Sequence, residues 1–219
     1  MNNRNGICYI VGAMPLEPGL VPQPKEGDLL IAADGGYASL TRLGVTPHLV
    51  VGDFDSLGSV PDHPDVHQLP CEKDDTDIGY ALKVGLERGY TRFVLLGGMG
   101  GRLDHTIANL QLLGYLSQRG AVGILAGNGQ AATAITNGSF AFPKTMSGYC
   151  SVFCQSGTAQ GITLEGLKYS LTDAQLTGSF PLGVSNEFLG LPAKVTVQEG
   201  TLLLIWETQG QLLQLLDVL

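Results

Sequence analysis

HLVVGDFDSL, residues 48–57, is the stretch on which the architecture turns. Leu49, Val50 and Val51 are apolar without a break, and the run passes straight into Gly52, Asp53, Phe54, Asp55 and Ser56. A strand with one wet face alternates apolar and polar residues, whereas a strand covered on both faces reads as a continuous apolar run. The same form recurs in CYIVGA (8–13), DLLIAAD (28–34), RFVLLGG (92–98) and AVGILAG (121–127), with a weaker strand at VHQLP (66–70). Helical signals fall between them. GGYASLTRLG (35–44) fits a short helix stopped by Gly44. From Asp77, apolar or small residues at Ile78, Ala81, Leu82, Gly85 and Leu86 give an amphipathic stripe, with Thr76 as N-cap and Gly89 as terminator. A further helix follows Asp104 through HTIANLQLLGYLSQRG (105–120). Strands that alternate with helices predict an α/β domain built on a parallel sheet.

After about residue 128 the texture changes. GSFAFPK, YCSVFCQS, GITLEGLKYSL, AKVTVQE and TLLLIWET are short runs rich in β-branched and aromatic residues, separated by Gly, Asn, Pro or Ser. They predict antiparallel strands, hence a β-sandwich or barrel. The expected boundary lies at GNGQ (127–130), giving domains 1–128 and 129–219. The C-terminal LLQLLDVL is apolar enough for a last strand or a subunit contact.

Composition narrows the partners. Of 219 residues, 44 % are hydrophobic and 15 % charged, which favours a packed globular protein over disorder. A formal net charge of −8 disfavours a long nucleic-acid backbone or an anionic membrane as partner. A small anion needs only a local donor pocket and is not excluded. The four cysteines lack zinc-site spacing and read as reduced, structural thiols. The start, MNNRNGICYIVGAM, has no long apolar core of a secretion signal, and no run is long enough to span a bilayer, so the expected location is cytoplasmic.

Four stretches carry the chemistry: AADGG (32–36), VGDFDS (51–56), EKDDTD (72–77) and GGMGGRLDH (97–105). Each falls at the C-terminal end of an expected strand or at a helix start, and open parallel sheets bind ligands outside those strand ends. Asp53 and Asp55 are two apart, so they face the same side if strand geometry persists. They could then share one cation, with Asp77 as a third donor. Mg²⁺ takes one or two carboxylates directly and completes its shell with water and phosphate oxygens, which suits several Asp converging on one edge. Asp34 sits at the same edge. The glycine loop is neither a Walker A sequence nor G-x-G-x-x-G, but Gly98, Gly100 and Gly101 at a strand–helix junction let backbone N–H groups approach phosphate. Arg102 adds a fixed cation. His105 could bond phosphate or cap the helix, and Lys73 could contact phosphate or pair with nearby acids. His48, His63 and His67 show no ligand spacing.

DGG (34–36), GDFDS (52–56), KDDTDIGYAL (73–82) and GGRLDHTIANL (100–110), in that order, resemble the thiamine pyrophosphokinase (thiamine diphosphokinase) family, and GLKYSL (166–171) and GVSNEF (183–188) are similar to its β-domain segments. The resemblance implies an N-terminal α/β catalytic domain, a C-terminal β-sandwich that binds thiamine, and a homodimer whose active site is shared between subunits. It implies pyrophosphoryl transfer from ATP to the hydroxyl of thiamine, leaving AMP. Asp53, Asp55 and Asp77 would be the catalytic residues that hold Mg²⁺. Asp34, Lys73, Gly98, Gly100, Gly101, Arg102, Asp104 and His105 would form the nucleotide site, and Ser185 and Asn186 the thiamine site. Two other readings of the acidic edge stand beside this one: a Mg²⁺-dependent nucleotide hydrolase, and a thiamine- or nucleotide-binding protein without chemistry.

Overall fold

The structure, a computed structural model, describes residues 5–55, 58–70, 74–208 and 216. It divides into two compact units, residues 1–109 with 123–128, and residues 110–122 with 129–219.

The first unit contains β1 (Cys8–Val11), β2 (Leu29–Ala33), α1 (Gly36–Arg42), β3 (Leu49–Gly52), β4 (Val66–Gln68), α2 (Asp77–Glu87), β5 (Arg92–Leu96), the start of α3 (Leu103–Ser117) and β6 (Val122–Gly127). Strand β1 pairs in parallel with β2 and with β5; β2 pairs with β3, and β3 with β4, again in parallel. The lateral order is β6-β5-β1-β2-β3-β4. Every residue of β1, β2 and β3 is buried. That is why these runs carry no polar alternation, and each large aliphatic side chain removed from water contributes roughly 1.5–3 kcal/mol. Helix α1 stops where expected: Gly44 has φ +70°, and its N–H donates to the Thr41 carbonyl at 3.0 Å. In α2, Thr76 Oγ1 accepts the Gly79 N–H at 3.1 Å, and the chain leaves the helix through Gly89 at φ +87°. Helix α3 begins at Leu103, earlier than the sequence suggested, so Asp104 lies inside its first turn.

The second unit contains the rest of α3, then β7 (Gln130–Thr136), β8 (Ser139–Phe142), β9 (Tyr149–Cys154), β10 (Thr158–Glu165), β11 (Leu171–Thr177), β12 (Gly183–Glu187), β13 (Ala193–Thr196) and β14 (Thr201–Glu207). Its strands form two antiparallel sets, ordered β12-β9-β14-β7 and β11-β10-β13-β8, a sandwich rather than a barrel. Aromatic rings from both sets meet in the core. Phe142 of β8 lies 5.2 Å from Trp206 of β14 and 5.1 Å from Phe188, centroid to centroid. Segment LLQLLDVL (212–219) lies outside the described residues, apart from Leu216. Among the described residues no helix is long and apolar enough to cross a membrane.

Candidate active site

The chain enters the sheet at β1, moves outward through β2, β3 and β4, and returns through α2 to β5 on the other side of β1. Beyond the C-terminal ends of β1 and β5, neighbouring connections therefore run in opposite directions, the place where open α/β sheets form a ligand crevice. The residues after β1 follow the end of β5: Gly12 N–H donates to the Leu96 carbonyl (2.8 Å) and Met14 N–H to the Gly97 carbonyl (3.0 Å). A β-carbon on Gly12 would lie 2.7 Å from the Gly97 oxygen and 2.9 Å from Ile78 Cδ1. Only glycine admits this approach, which brings Ile78, in the first turn of α2, against the end of β1. The sequence reading did not single out GAM (12–14), although the run ends a buried strand as the other site segments do.

The next two strand ends carry Asp34 and Asp53. Asp34, at φ +46°, donates its N–H to the Val51 carbonyl at 2.8 Å. A β-carbon on Gly52 would lie 3.1 Å from Asp34 Cα, so the two acidic turns are in direct backbone contact. Strand geometry does not persist through Asp55. Strand β3 ends at Gly52, and Phe54 has φ +62° with its side chain buried. Burial of that ring turns the chain inward, and Asp55 N–H comes back to Asp53 Oδ1 at 3.3 Å. The two carboxylates are thus related by a turn that bonds to itself, not by the period of a strand.

The glycine loop bends at Gly97, Gly100 and Gly101, with φ of +63°, +85° and +67°. Its inner side is held by α3: Asn109 Nδ2 donates to the Gly98 carbonyl at 2.7 Å, with Asn109 only 4 % exposed. Asn109 was missed as a site-positioning residue, because an Asn inside a helical stripe reads as surface until its partner is known. Arg102 is exposed and engaged by its neighbour, Nη2 to Asp104 Oδ2 at 2.6 Å and Nε to Asp104 Oδ1 at 3.2 Å. That hydrogen-bonded guanidinium holds the Asp104 carboxyl below the usual carboxylate range, aided by the His105 N–H at 3.0 Å. His105 is exposed in the first turn of α3. In EKDDTD, Asp75 is committed to Lys83, at 2.6 and 2.8 Å, which ties this stretch to α2. Lys73 lies outside the described residues.

Among the described residues no group of three or more His, Cys, Asp or Glu is gathered closely enough to hold a metal ion. Asp53, Asp55 and Asp77 are therefore not a preformed three-carboxylate cage. The donor chemistry nevertheless fits Mg²⁺, which needs one or two hard carboxylate oxygens and takes the rest of its octahedron from water and phosphate.

Ser185 and Asn186 belong to the second unit. Ser185 is exposed at φ +58°, at a shift in the β12–β9 register, with its N–H donated to Ser151 Oγ at 3.1 Å. Asn186 is 3 % exposed. Its Oδ1 accepts from Tyr169 N–H and Glu187 N–H, both at 2.9 Å, and its Nδ2 donates to the Tyr169 carbonyl at 2.7 Å.

The family signature described as "Thiamin pyrophosphokinase, catalytic domain" matches residues 24–123, and that described as "Thiamin pyrophosphokinase, vitamin B1 binding domain" matches residues 139–202. A "Thiamine pyrophosphokinase" of Bacillus subtilis (strain 168) is 30 % identical over 205 residues, covering 90 % of this chain and 95 % of its own. The chain belongs to the thiamine pyrophosphokinase family. Solved structures agree with that membership. The thiamine pyrophosphokinase crystal structure from Bacillus subtilis superposes with a TM-score of 0.82 at 29 % identity, over 93 % of this chain and 99 % of that one. The one from Geobacillus thermodenitrificans gives 0.78 at 29 % identity, over 94 % and 99 %. Within this thiamine pyrophosphokinase-family chain, Asp34, Asp53, Asp55, Asp77 and the glycine loop lie inside the catalytic-domain match, and Tyr169, Ser185 and Asn186 inside the vitamin B1 binding match. The Gly12–Met14 turn lies outside both.

Proposed function

We propose that the protein transfers the terminal pyrophosphoryl group of ATP to the hydroxyl of thiamine, giving thiamine diphosphate and AMP. The observation that carries this reading is the edge itself. The ends of β1, β2, β3 and β5 and the start of α2 are packed together by Gly12, Ile78, Gly52 and Asp34, and the chain belongs to a family described by this activity.

In the proposed reaction the hydroxyethyl oxygen of thiamine forms a bond to the β-phosphorus of ATP. The bond from that phosphorus to the α–β bridging oxygen breaks, and its electron pair leaves with AMP. The alcohol proton passes to a carboxylate of the same edge. Asp53, Asp55 and Asp77 would hold Mg²⁺, which when bound neutralises polyphosphate charge. The chain's own work is to position and to exclude alternatives. Residues 98–102 offer backbone N–H groups to phosphate. Arg102 exchanges its Asp104 partner for phosphate oxygens, to which it can bond in bidentate fashion. Asp34, Lys73 and His105 border the nucleotide, and Ser185 faces thiamine. The same reading divides the labour between domains 1–128 and 129–219. It makes the working form a cytoplasmic homodimer with a shared active site.

The test is product analysis with Mg²⁺, ATP and thiamine, against a control without thiamine. Thiamine diphosphate and AMP in equal amounts, absent from the control, are expected. ATP breakdown without thiamine would replace this reading by a hydrolase, and binding without turnover would replace it by a non-catalytic binding protein.

A further inference from the structure

A cleft of about 380 Å³ lies on the outside of α1, lined by Tyr37, Ala38, Thr41 and Arg42 of the helix and by Ser59 and Pro61 of the segment after β3. That volume is within the range of small-molecule sites. Most of its wall is carbon. Thr41 commits its hydroxyl to the Tyr37 carbonyl at 2.8 Å and offers its methyl, beside Ala38, Pro61 and the Tyr37 ring. The wall is held in place. Tyr37 Oη donates to the Asp62 carbonyl at 3.3 Å, and its ring meets His63 edge-on at 6.2 Å. His63 Nε2 donates in turn to the Pro47 carbonyl at 3.0 Å. At the rim stands a cation. Arg42 is exposed, and its guanidinium makes two bonds of 3.3 Å, both to uncharged oxygens: Nε to the Ala38 carbonyl and Nη2 to Ser39 Oγ. Ser39 is buried, so one edge of the guanidinium is anchored. The remaining N–H donors of the guanidinium meet no carboxylate among the described residues, in a chain of net charge −8.

Both sides of the cleft are bonded to the acidic edge. Tyr37 N–H donates to the Asp34 carbonyl at 3.1 Å, and Gly58 N–H, next to Ser59, donates to the Phe54 carbonyl at 3.1 Å. We propose that this cleft binds a small aromatic carboxylate, its ring between Tyr37 and Pro61 and its carboxylate on Arg42, and that occupancy is transmitted to the Asp34 and Asp53–Asp55 turns. A carbon wall that ends at a guanidinium suits a planar apolar body with one negative charge, and Arg takes a carboxylate in bidentate fashion. The bound ligand braces α1 against residues 59–61, and each of these segments hangs on one acidic turn. None of the six cleft side chains belongs to the proposed nucleotide or thiamine site, so this site is additional to them.

Titration of the isotope-labelled full chain with cinnamate, followed by NMR, tests the assignment. Saturable amide shifts are expected at Tyr37, Ala38, Thr41 and Ser59, with a Kd of roughly 1–10 mM for a ligand of this size. The amides of Asp34, Gly35, Asp55 and Gly58 should shift with the same midpoint. Arg42→Gln should weaken binding about tenfold, and the neutral cinnamamide should bind the wild type as weakly. Ala38→Phe, which fills the cleft, should abolish binding; should that variant fail to fold, Arg42→Gln decides alone. Absence of saturation in that range, shifts centred elsewhere, unchanged affinity in Arg42→Gln, or equal affinity for acid and amide would overturn the ligand site. Binding that leaves the acidic turns unshifted would overturn the transmission. The titration needs no turnover: a wild type inactive on thiamine would overturn the proposed function, and the cleft would still be decided by these shifts.

Discussion

Asn109→Ala isolates the bond on which the glycine loop hangs. In the native protein Asn109 Nδ2 donates to the Gly98 carbonyl at 2.7 Å, and Asn109 is 4 % exposed. Removing the donor leaves a buried carbonyl without that bond, which costs about 1–3 kcal/mol. Alanine is the better helix former by roughly 0.5 kcal/mol, which offsets part of the loss. The net expectation is a destabilisation of about 0.5–2.5 kcal/mol, or roughly 1–10 °C in Tm for a chain of this size. Calorimetry reads the shift directly. The loop that Gly98 opens also carries Gly100, Gly101 and Arg102, so the KM for ATP should rise while the KM for thiamine stays near its wild-type value.

A second substitution makes the reasoning harder to satisfy by accident. A β-carbon on Gly98 would lie 2.9 Å from Asn109 Nδ2 and 3.2 Å from Leu125 Cδ1. Gly98→Ala should therefore destabilise the wild type by crowding the amide, and should cost less in the Asn109→Ala background, where the amide is gone. Neighbours of this kind couple by about 0.5–3 kcal/mol. An Asn109→Ala protein that melts with the wild type, or a Gly98→Ala cost identical in both backgrounds, would refute the account of the loop.

Thr76→Ala should lose the cap on Gly79 N–H and about 0.5–2 kcal/mol of stability, measured by chemical denaturation. Asp53→Asn and Asp77→Asn should each lower kcat by about 10²-fold or more, with circular dichroism unchanged, since each removes charge from the proposed polyphosphate site. Arg102→Gln should return the Asp104 carboxyl toward its ordinary range, visible as a titration shift by NMR; in the native protein the pairing exists above that range and is lost as pH falls through the depressed Asp104 value. Burial pushes the Cys150 thiol up to about 12 and raises that of Cys8 further, so in the native protein both should resist a disulfide reagent that labels half-buried Cys154 faster.

The α/β edge was legible because its signals are local and redundant. Continuous apolar runs marked β1, β2, β3 and β5, Gly44 and Gly89 marked helix ends, and the acids stood at strand ends. The second unit was less legible. Strand β7 reads QAATAIT, whose alanines have little strand preference, yet it pairs with β14 along seven residues from Gln130 to Thr136. Strand β11, LTDAQLT, lies at a sheet edge with only Leu176 buried, so its apolar pattern is thin. Both owe their form to a partner strand, β7 to the distant β14 and β11 to β10 just before it. The roles of Asn109 and Asn186 were hidden for the same reason, since a buried amide is recognised by what it holds.

Backbone strain sorts the remaining positions. Among the described residues, Asp34, Phe54, Asn128, Asn137, Asp173 and Ser185 are the non-glycine residues with positive φ. Asn128 and Asn137 each precede a glycine in a tight turn, where the side-chain amide makes the left-handed conformation inexpensive. Asp173 lies at a shift in the β10–β11 register, a bulge that accounts for its backbone. Phe54 has no such excuse of residue type, Ser185 also sits at a register shift but is of a type that seldom adopts this backbone, and Asp34 ends a buried strand instead of a hairpin. These three lie in the acidic turns of the proposed catalytic edge and in the proposed thiamine segment. Strain of this kind persists only where surrounding contacts over-determine it, and the contacts are identifiable: Val51 and Gly52 on Asp34, burial on Phe54, and Ser151 with the bonded Asn186 on Ser185. Geometry that is costly to hold, and held by named bonds, coincides with the residues that the acidic motifs and GVSNEF single out on chemical grounds alone.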